Sequence, residues 1–75
     1  MIGMVKIETN LKEWRKKKKI SQQELAQEIG VRRETIVHLE NNRYNPSLEM
    51  ALRIAEVFGC RVEEIFQLKK KEEPR

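Results

Sequence analysis

The sequence predicts a mainly α fold of five helices, with a small antiparallel two-stranded ribbon formed by the ends of the chain. Three observations favour this fold. Apolar residues recur at helical spacing in several short segments, which predicts amphipathic helices. Gly30 and Gly59 directly follow two of these segments, at the place where a left-handed glycine typically ends a helix. Residues 4–8 alternate between apolar and charged side chains, a pattern typical of a strand.

A chain of 75 residues corresponds to one small domain, 1–75. The predicted elements are, in chain order, an N-terminal strand at 1–8, helices at 9–19, 21–30, 32–41, 47–58 and 62–67, and a C-terminal strand and tail at 68–75. Thr9 or Asn10 is expected to cap the first helix, and Ser47 the fourth. The apolar residues of the fourth helix are expected to form one buried stripe: Leu48, Ala51, Leu52, Ala55 and Phe58.

Residues 21–41 have the pattern of a helix-turn-helix. Ser21 and Glu24 have the spacing of a capping box, in which each side chain accepts a hydrogen bond from the other residue's backbone N–H. Gly30 ends the second helix, and the third begins after a turn of only a few residues. Two short helices joined by a tight glycine-containing turn are typical of this motif. The third helix is therefore predicted to be a recognition helix, which would lie in the major groove of DNA.

The outer face of this third helix carries the candidate base-reading residues: Arg33, Glu34, Val37 and His38. An arginine can pair with both O6 and N7 of guanine, and a valine can contact the methyl group of thymine. His38 offers a single donor or acceptor. Glu34 could accept a hydrogen bond from cytosine N4 or could hold Arg33 in position, and the sequence leaves both roles open.

Candidate phosphate contacts flank the recognition helix. The net charge of +4 is unevenly distributed, because residues 1–20 carry seven basic and two acidic side chains. A smaller basic cluster lies at Lys69–Lys71. Clustered positive charge suits a polyanion such as DNA, and phosphate contacts fix register without reading sequence. The residues predicted to make them are Gln22, Arg32, Asn41, Arg43, Lys17, Lys18 and Lys19.

Composition excludes several other classes of protein. One cysteine, Cys60, cannot form an internal disulfide, and with His38 as the one histidine no structural zinc site is expected. An unpaired cysteine suits a reducing compartment, so a cytoplasmic location is expected. Residues 1–7 contain a lysine and no long apolar run, which argues against a signal peptide or membrane span. Since no nucleophile–base pair or phosphate-binding loop is recognisable, neither enzyme activity, a cofactor nor a small-molecule ligand is expected.

The stretch from Leu11 to Leu68 resembles the phage-repressor (Xre/Cro/CI-type) helix-turn-helix family. The segments that carry the resemblance are Leu11–Arg15, Ile20–Ala26, Gly30-Val31, Thr35-Ile36, Leu39–Asn41 and Asn45–Leu48. The tail Ile65-Phe66-Gln67 is similar to the short, stand-alone members that resemble the enterococcal cytolysin repressor. This resemblance implies a five-helix, lambda-repressor-like DNA-binding domain whose chain ends pair as an antiparallel ribbon.

The resemblance also implies residue roles. Members of this subgroup act as homodimers on inverted-repeat operators, and their dimer surface corresponds here to Asn45, Arg61, Val62 and Ile65. Arg15 and Glu40 match a family salt bridge between the first helix and the recognition helix.

Three positions depart from the family pattern. Lys19 stands where glycine is frequent, Arg32 stands where a capping Ser or Thr is common, and Glu34 replaces a frequent glutamine. We therefore expect backbone strain at Lys19 and a recognition helix that lacks a side-chain cap. Because of Glu34, we also expect an operator sequence that differs from those of family members with glutamine at this position.

The sequence thus predicts a dimeric, sequence-specific regulator of transcription that binds double-stranded DNA and acts as a repressor. Two alternatives stay open. An antitoxin of a toxin–antitoxin pair would add a protein partner, although only residues 69–75 remain here for the wrapping segment that antitoxins usually need. A helical protein-interaction module would not bind DNA at all. A titration with DNA at several salt concentrations would then lack the salt dependence that phosphate contacts cause.

Overall fold

The computed structural model of the chain describes residues 5–70. Within this range the fold is mainly helical, with five helices and a two-stranded antiparallel sheet, which confirms the predicted fold class. The elements are β1 (Val5–Thr9), α1 (Leu11–Lys18), α2 (Gln22–Ile29), α3 (Arg33–Glu40), α4 (Leu48–Phe58), α5 (Val62–Ile65) and β2 (Phe66–Lys70). Residues 1–4 and 71–75 of the predicted strands, and Lys71 of the second basic cluster, lie outside the described residues.

The core is formed where the helices meet, and its largest fully buried side chains are Leu11, Leu25, Ile36, Leu39, Ile54 and Ile65. Trp14 and Phe58 pack against this core at its edge, with ring centroids 6.1 Å apart and tilted by 53°. The indole Nε1 of Trp14 also donates a hydrogen bond to the backbone carbonyl of Glu64, at 3.3 Å. These two contacts tie α1 to α4 and to α5, which are both far from it in the chain.

The predicted buried stripe of α4 was wrong for two leucines. Ala51, Ile54 and Ala55 face the core, whereas Leu48 and Leu52 remain 72% and 53% exposed. At the helical spacing of 3.6 residues per turn, the two leucines lie beside the buried stripe rather than within it. The structure thus leaves an apolar pair on the surface of α4, close to the start of α5.

The ends of α1 and α3 adopt left-handed backbone at residues other than glycine. Lys19 has φ 61° and Asn42 has φ 60°, whereas Gly30 and Gly59 serve this purpose after α2 and α4. At the end of α1, Lys19 N–H donates to the carbonyl of Lys16, and the next N–H donates to that of Arg15. These bonds satisfy carbonyls that the helix itself leaves free. The predicted strain at Lys19 therefore corresponds to an observed left-handed residue.

The boundary between α5 and β2 lies two residues earlier than predicted. The helix predicted at 62–67 ends at Ile65, and Phe66 and Gln67 belong to β2. Thr9 likewise belongs to β1 and pairs with Phe66, while Ile7 pairs with Leu68. Local spacing could not show this, because the strand depends on pairing between residues almost sixty positions apart.

Candidate nucleic-acid interface

The helix-turn-helix is built from α2, the turn at Gly30 and α3. Ser21 Oγ accepts a hydrogen bond from Glu24 N–H at 2.9 Å, and Glu24 Oε1 accepts one from Ser21 N–H at 2.7 Å. Gly30 is left-handed with φ 76°, and the following N–H donates to the carbonyl of Ala26 at 2.9 Å. The chain therefore leaves α2 sharply and begins α3 three residues later. Ile36 and Leu39 then anchor α3 in the core.

The exposed side of α3 carries the residues predicted to read bases. Arg33, Glu34 and His38 are exposed and Val37 is half-buried, because Ile36 and Leu39 turn the opposite side of α3 into the core. In the described part of the chain no ion pair joins Glu34 to Arg33, so the structure gives no support to a holding role for Glu34. Both side chains are directed to solvent and are available to a ligand in a groove.

α3 begins without a side-chain cap. Arg32 occupies the N-cap position in extended backbone, with φ −82° and ψ 153°, and its side chain makes no capping hydrogen bond. An arginine has only donors and cannot accept from the free backbone N–H groups of the first turn. These N–H groups and the exposed guanidinium of Arg32 therefore lie at the same end of the recognition helix.

A partly buried polar cluster joins α1, α2 and α3. Arg15 Nε donates to Glu40 Oε2 at 2.7 Å and Arg15 Nη2 to Glu40 Oε1 at 3.2 Å, while only 12% and 4% of the two side chains are exposed. Arg15 Nη1 donates to the carbonyl of Ile20 at 3.1 Å, and Gln22 Nε2 donates to Glu40 Oε1 at 3.1 Å. Glu40 thus fixes the end of the recognition helix against the start of α2, where Gln22 is a predicted phosphate contact.

The remaining predicted phosphate contacts lie on the surface around the recognition helix. Lys17, Lys18 and Lys19 are exposed and lead directly into the start of α2. Asn41 and Arg43 are exposed just after α3, and Arg43 N–H donates to the carbonyl of His38 at 3.0 Å. Basic side chains therefore precede α2 and follow α3 in the chain, on either side of the helix-turn-helix segment, and are exposed to solvent.

The predicted dimer surface is only partly at the surface. Asn45 and Arg61 are exposed and Val62 is half-buried. Ile65 is 0% exposed, so its assignment to the interface is corrected: the side chain belongs to the core and has no surface to offer a partner. Leu48 and Leu52, which the sequence places in the core, border a groove of about 920 Å³ together with Cys60 and Val62. Their spacing of four residues, at the edge of the buried stripe of α4, was the available signal.

Three further findings concern metal binding, membrane insertion and the cysteine. Among the described residues, no three His, Cys, Asp or Glu side chains are grouped so that they could hold a metal ion. None of the helices in residues 5–70 is long and apolar enough to cross a membrane. Burial, and to a lesser extent the carboxylate of Glu64, raise the pKa of the Cys60 thiol, which is the opposite of what an activated cysteine requires.

A capped α2, a tight glycine turn and an α3 with an exposed polar face define a helix-turn-helix DNA-binding protein. The sequence profile of the helix-turn-helix family HTH_3 matches residues 11–65, and the chain belongs to this family. This confirms the resemblance to the Xre/Cro/CI-type regulators. It also places the chain among DNA-binding regulators of transcription rather than among enzymes.

Relatives of known sequence agree with this assignment. An uncharacterised HTH-type transcriptional regulator of Archaeoglobus fulgidus is 55% identical over 58 residues, which cover 77% of this chain and 82% of the relative. Another, from Methanocaldococcus jannaschii, is 40% identical over 60 residues, with 80% and 91% of the two chains covered.

Solved structures share the fold. The transcriptional regulator VanUg superposes with a TM-score of 0.73 at 24% identity, covering 89% of each chain. The clp gene regulator ClgR of Corynebacterium glutamicum gives a TM-score of 0.68 at 26% identity, covering 72% of this chain and 57% of that one. These similarities show that the fold of this chain occurs in solved proteins.

Proposed function

We propose that this protein is a sequence-specific repressor that binds an inverted-repeat operator as a homodimer in the cytoplasm. The observation that carries the proposal is the exposed stripe of Arg33, Glu34, Val37 and His38 on a helix whose opposite side is anchored in the core. Such a stripe can read several adjacent base pairs in the major groove. A small dimer seated on a promoter would exclude the polymerase, so repression is the proposed regulatory outcome.

Phosphate contacts are proposed to hold this helix in register. Gln22 is fixed by Glu40, and an amide nitrogen has a second hydrogen that can be donated to a phosphate oxygen. Lys17, Lys18 and Lys19 lie before α2, and Arg43 lies after α3. The other members of the proposed phosphate-binding set are Arg32 and Asn41.

The proposed dimer surface combines Leu48 and Leu52 with Asn45, Arg61 and Val62. The two leucines offer apolar surface, and both charge signs line the same groove, among them Arg53, Glu56 and Arg61. A surface that carries both signs can be self-complementary, as a twofold interface requires. Two recognition helices related by this symmetry would be about one helical turn of DNA apart, roughly 34–36 Å.

Selection of bound sites from random DNA tests the proposed function. The expected result is enrichment of a near-palindromic sequence whose half-sites are centred about 10 base pairs apart. Enrichment of an asymmetric sequence would contradict the twofold arrangement. Recovery of random sequence despite tight binding would contradict base reading by α3.

The dimer surface is tested by Leu52→Glu, with Leu68→Glu as the matched control. Both leucines are more than half exposed, but Leu68 lies on the ribbon and not beside the groove. A buried charge at a dimer interface is costly, so Leu52→Glu should change the mass in sedimentation equilibrium from two chains to one. Leu68→Glu should leave the dimer intact. Equal behaviour of the two variants would place the interface elsewhere.

A further inference from the structure

Asn42 occupies a backbone position that glycine would adopt with less strain. It is the second residue after α3 and has φ 60°, in the left-handed region. Asn42 N–H donates to the carbonyl of Leu39 at 3.1 Å, and the N–H of Arg43 donates to that of His38 at 3.0 Å. Gly30 and Gly59 fill the corresponding positions after α2 and α4. Lys19 fills the same position after α1, so the backbone alone does not explain asparagine here, and the role of Asn42 must come from the contacts of its side chain.

That side chain links the end of the recognition helix to the ribbon. Asn42 Oδ1 accepts a hydrogen bond from Thr9 N–H at 3.2 Å, across 33 residues of chain. Thr9 Oγ1 in turn donates to the carbonyl of Ile65 at 2.7 Å, and Asn10 N–H donates to the same carbonyl at 3.2 Å. Thr9 thus joins the loop after α3 to the end of α5. Both Asn42 and Thr9 are half-buried, so water competes only partly for these bonds.

We propose that Asn42 is a positioning residue for DNA binding, which acts through Thr9 to hold Arg43 against a phosphate. The backbone N–H of Arg43 is bonded to the carbonyl of His38, and the preceding residue, Asn42, is anchored to Thr9. When the backbone that carries a long, exposed arginine side chain is already fixed, less conformational entropy is lost when the guanidinium binds a phosphate. The affinity for the phosphate is therefore higher. The inference rests on the proposed phosphate contact of Arg43, and it gives the ribbon a role in the function of the neighbouring helix.

The variant that tests the proposal is Asn42→Gly. Glycine adopts the left-handed backbone without steric cost and removes the side chain whose Oδ1 accepts from Thr9 N–H. Amide hydrogen exchange of the purified full chain should show faster exchange at Thr9, which reports directly on the broken link. Binding to a random-sequence DNA duplex is then measured at several salt concentrations for the unsubstituted protein, Asn42→Gly, Arg43→Ala and the double variant.

We expect Asn42→Gly to weaken binding by about three- to tenfold. The slope of log affinity against log salt should become less steep by about 0.9, which is the contribution of one phosphate contact. Arg43→Ala should give a similar loss in the original chain and little further loss in the Asn42→Gly chain. A purely structural role would not make the effect of Arg43→Ala depend on residue 42.

Three results would overturn the inference in different ways. If Arg43→Ala weakens binding equally in both backgrounds, Asn42 does not position Arg43, although the proposed phosphate contact itself would stand. If Arg43→Ala changes neither the affinity nor the salt slope, the phosphate contact fails and the inference fails with it. An unchanged exchange rate at Thr9 in Asn42→Gly would show that the link does not exist in solution.

Discussion

The cluster around Glu40 predicts a large effect for one substitution, Arg15→Ala. In the native chain Arg15 donates two hydrogen bonds to Glu40, at 2.7 and 3.2 Å, and one to the carbonyl of Ile20, at 3.1 Å. Alanine removes all three and leaves the Glu40 carboxylate, which is only 4% exposed, with the single bond from Gln22. The substitution therefore leaves a buried charge without its counter-ion.

The magnitude follows from this burial. Removal of one partner of a buried ion pair costs about 3–5 kcal/mol, because the remaining charge stays out of water. A domain of this length is stable by roughly 5–10 kcal/mol, so Arg15→Ala should remove a large part of the total. The melting temperature should fall by more than about 10 °C, since each kcal/mol shifts it by about 4–8 °C in a domain of this size.

Urea unfolding at a protein concentration low enough for the chain to be monomeric measures the effect, and Arg53→Ala is the matched control. Arg53 also pairs with a glutamate, Glu49, at 2.9 Å, but these side chains are 54% and 74% exposed. An exposed pair of this kind contributes about 0.3–0.5 kcal/mol. If Arg15→Ala lowers the free energy of unfolding no more than Arg53→Ala does, the reasoning from burial is refuted and Glu40 does not hold the three helices together.

Two further predictions follow from backbone geometry and from side-chain ionisation. Lys19→Gly should raise the free energy of unfolding by about 1 kcal/mol, because glycine adopts the left-handed backbone at residue 19 without strain. Lys16→Gly, within α1, should lower it by up to about 1 kcal/mol, and urea titrations that give both variants the same sign would contradict this account. Burial and Glu64 raise the pKa of the Cys60 thiol, so less thiolate is present at mildly alkaline pH and alkylation by iodoacetamide should be slower in the folded chain than in urea. Equal rates in the two states would show that the thiol is not shielded.

The helix-turn-helix could be predicted from the sequence because its determinants are local. The capping box at Ser21 and Glu24 and the glycine at residue 30 act within a few residues of each other, and each fixes one end of α2. The helical spacing of Ile36 and Leu39 likewise puts both on one side of α3, and both are buried. The exposed stripe of the recognition helix follows from these local choices.

Features that depend on distant residues could not be predicted in the same way. Leu48 and Leu52 were expected in the core. Which side of α4 is buried depends on the helices that pack against it, and they cover Ala51 and Ala55 but not the two leucines. The early end of α5 at Ile65 follows from the pairing of Thr9 with Phe66. The hydrogen bond from Thr9 N–H to Asn42 Oδ1 joins segments 33 residues apart, and the local sequence of neither segment predicts the contact.

The most direct test of the account compares Arg33→Ala with Arg43→Ala on the selected operator and on random DNA. Arg33 lies on the exposed face of α3 and Arg43 follows the helix. Arg33→Ala should reduce the preference for the operator by about 1–3 kcal/mol, the value of one bidentate contact to a base. Arg43→Ala should weaken binding to both DNAs about equally. If Arg33→Ala weakens both DNAs equally and leaves the preference unchanged, the exposed face of α3 does not read sequence and the central claim is wrong.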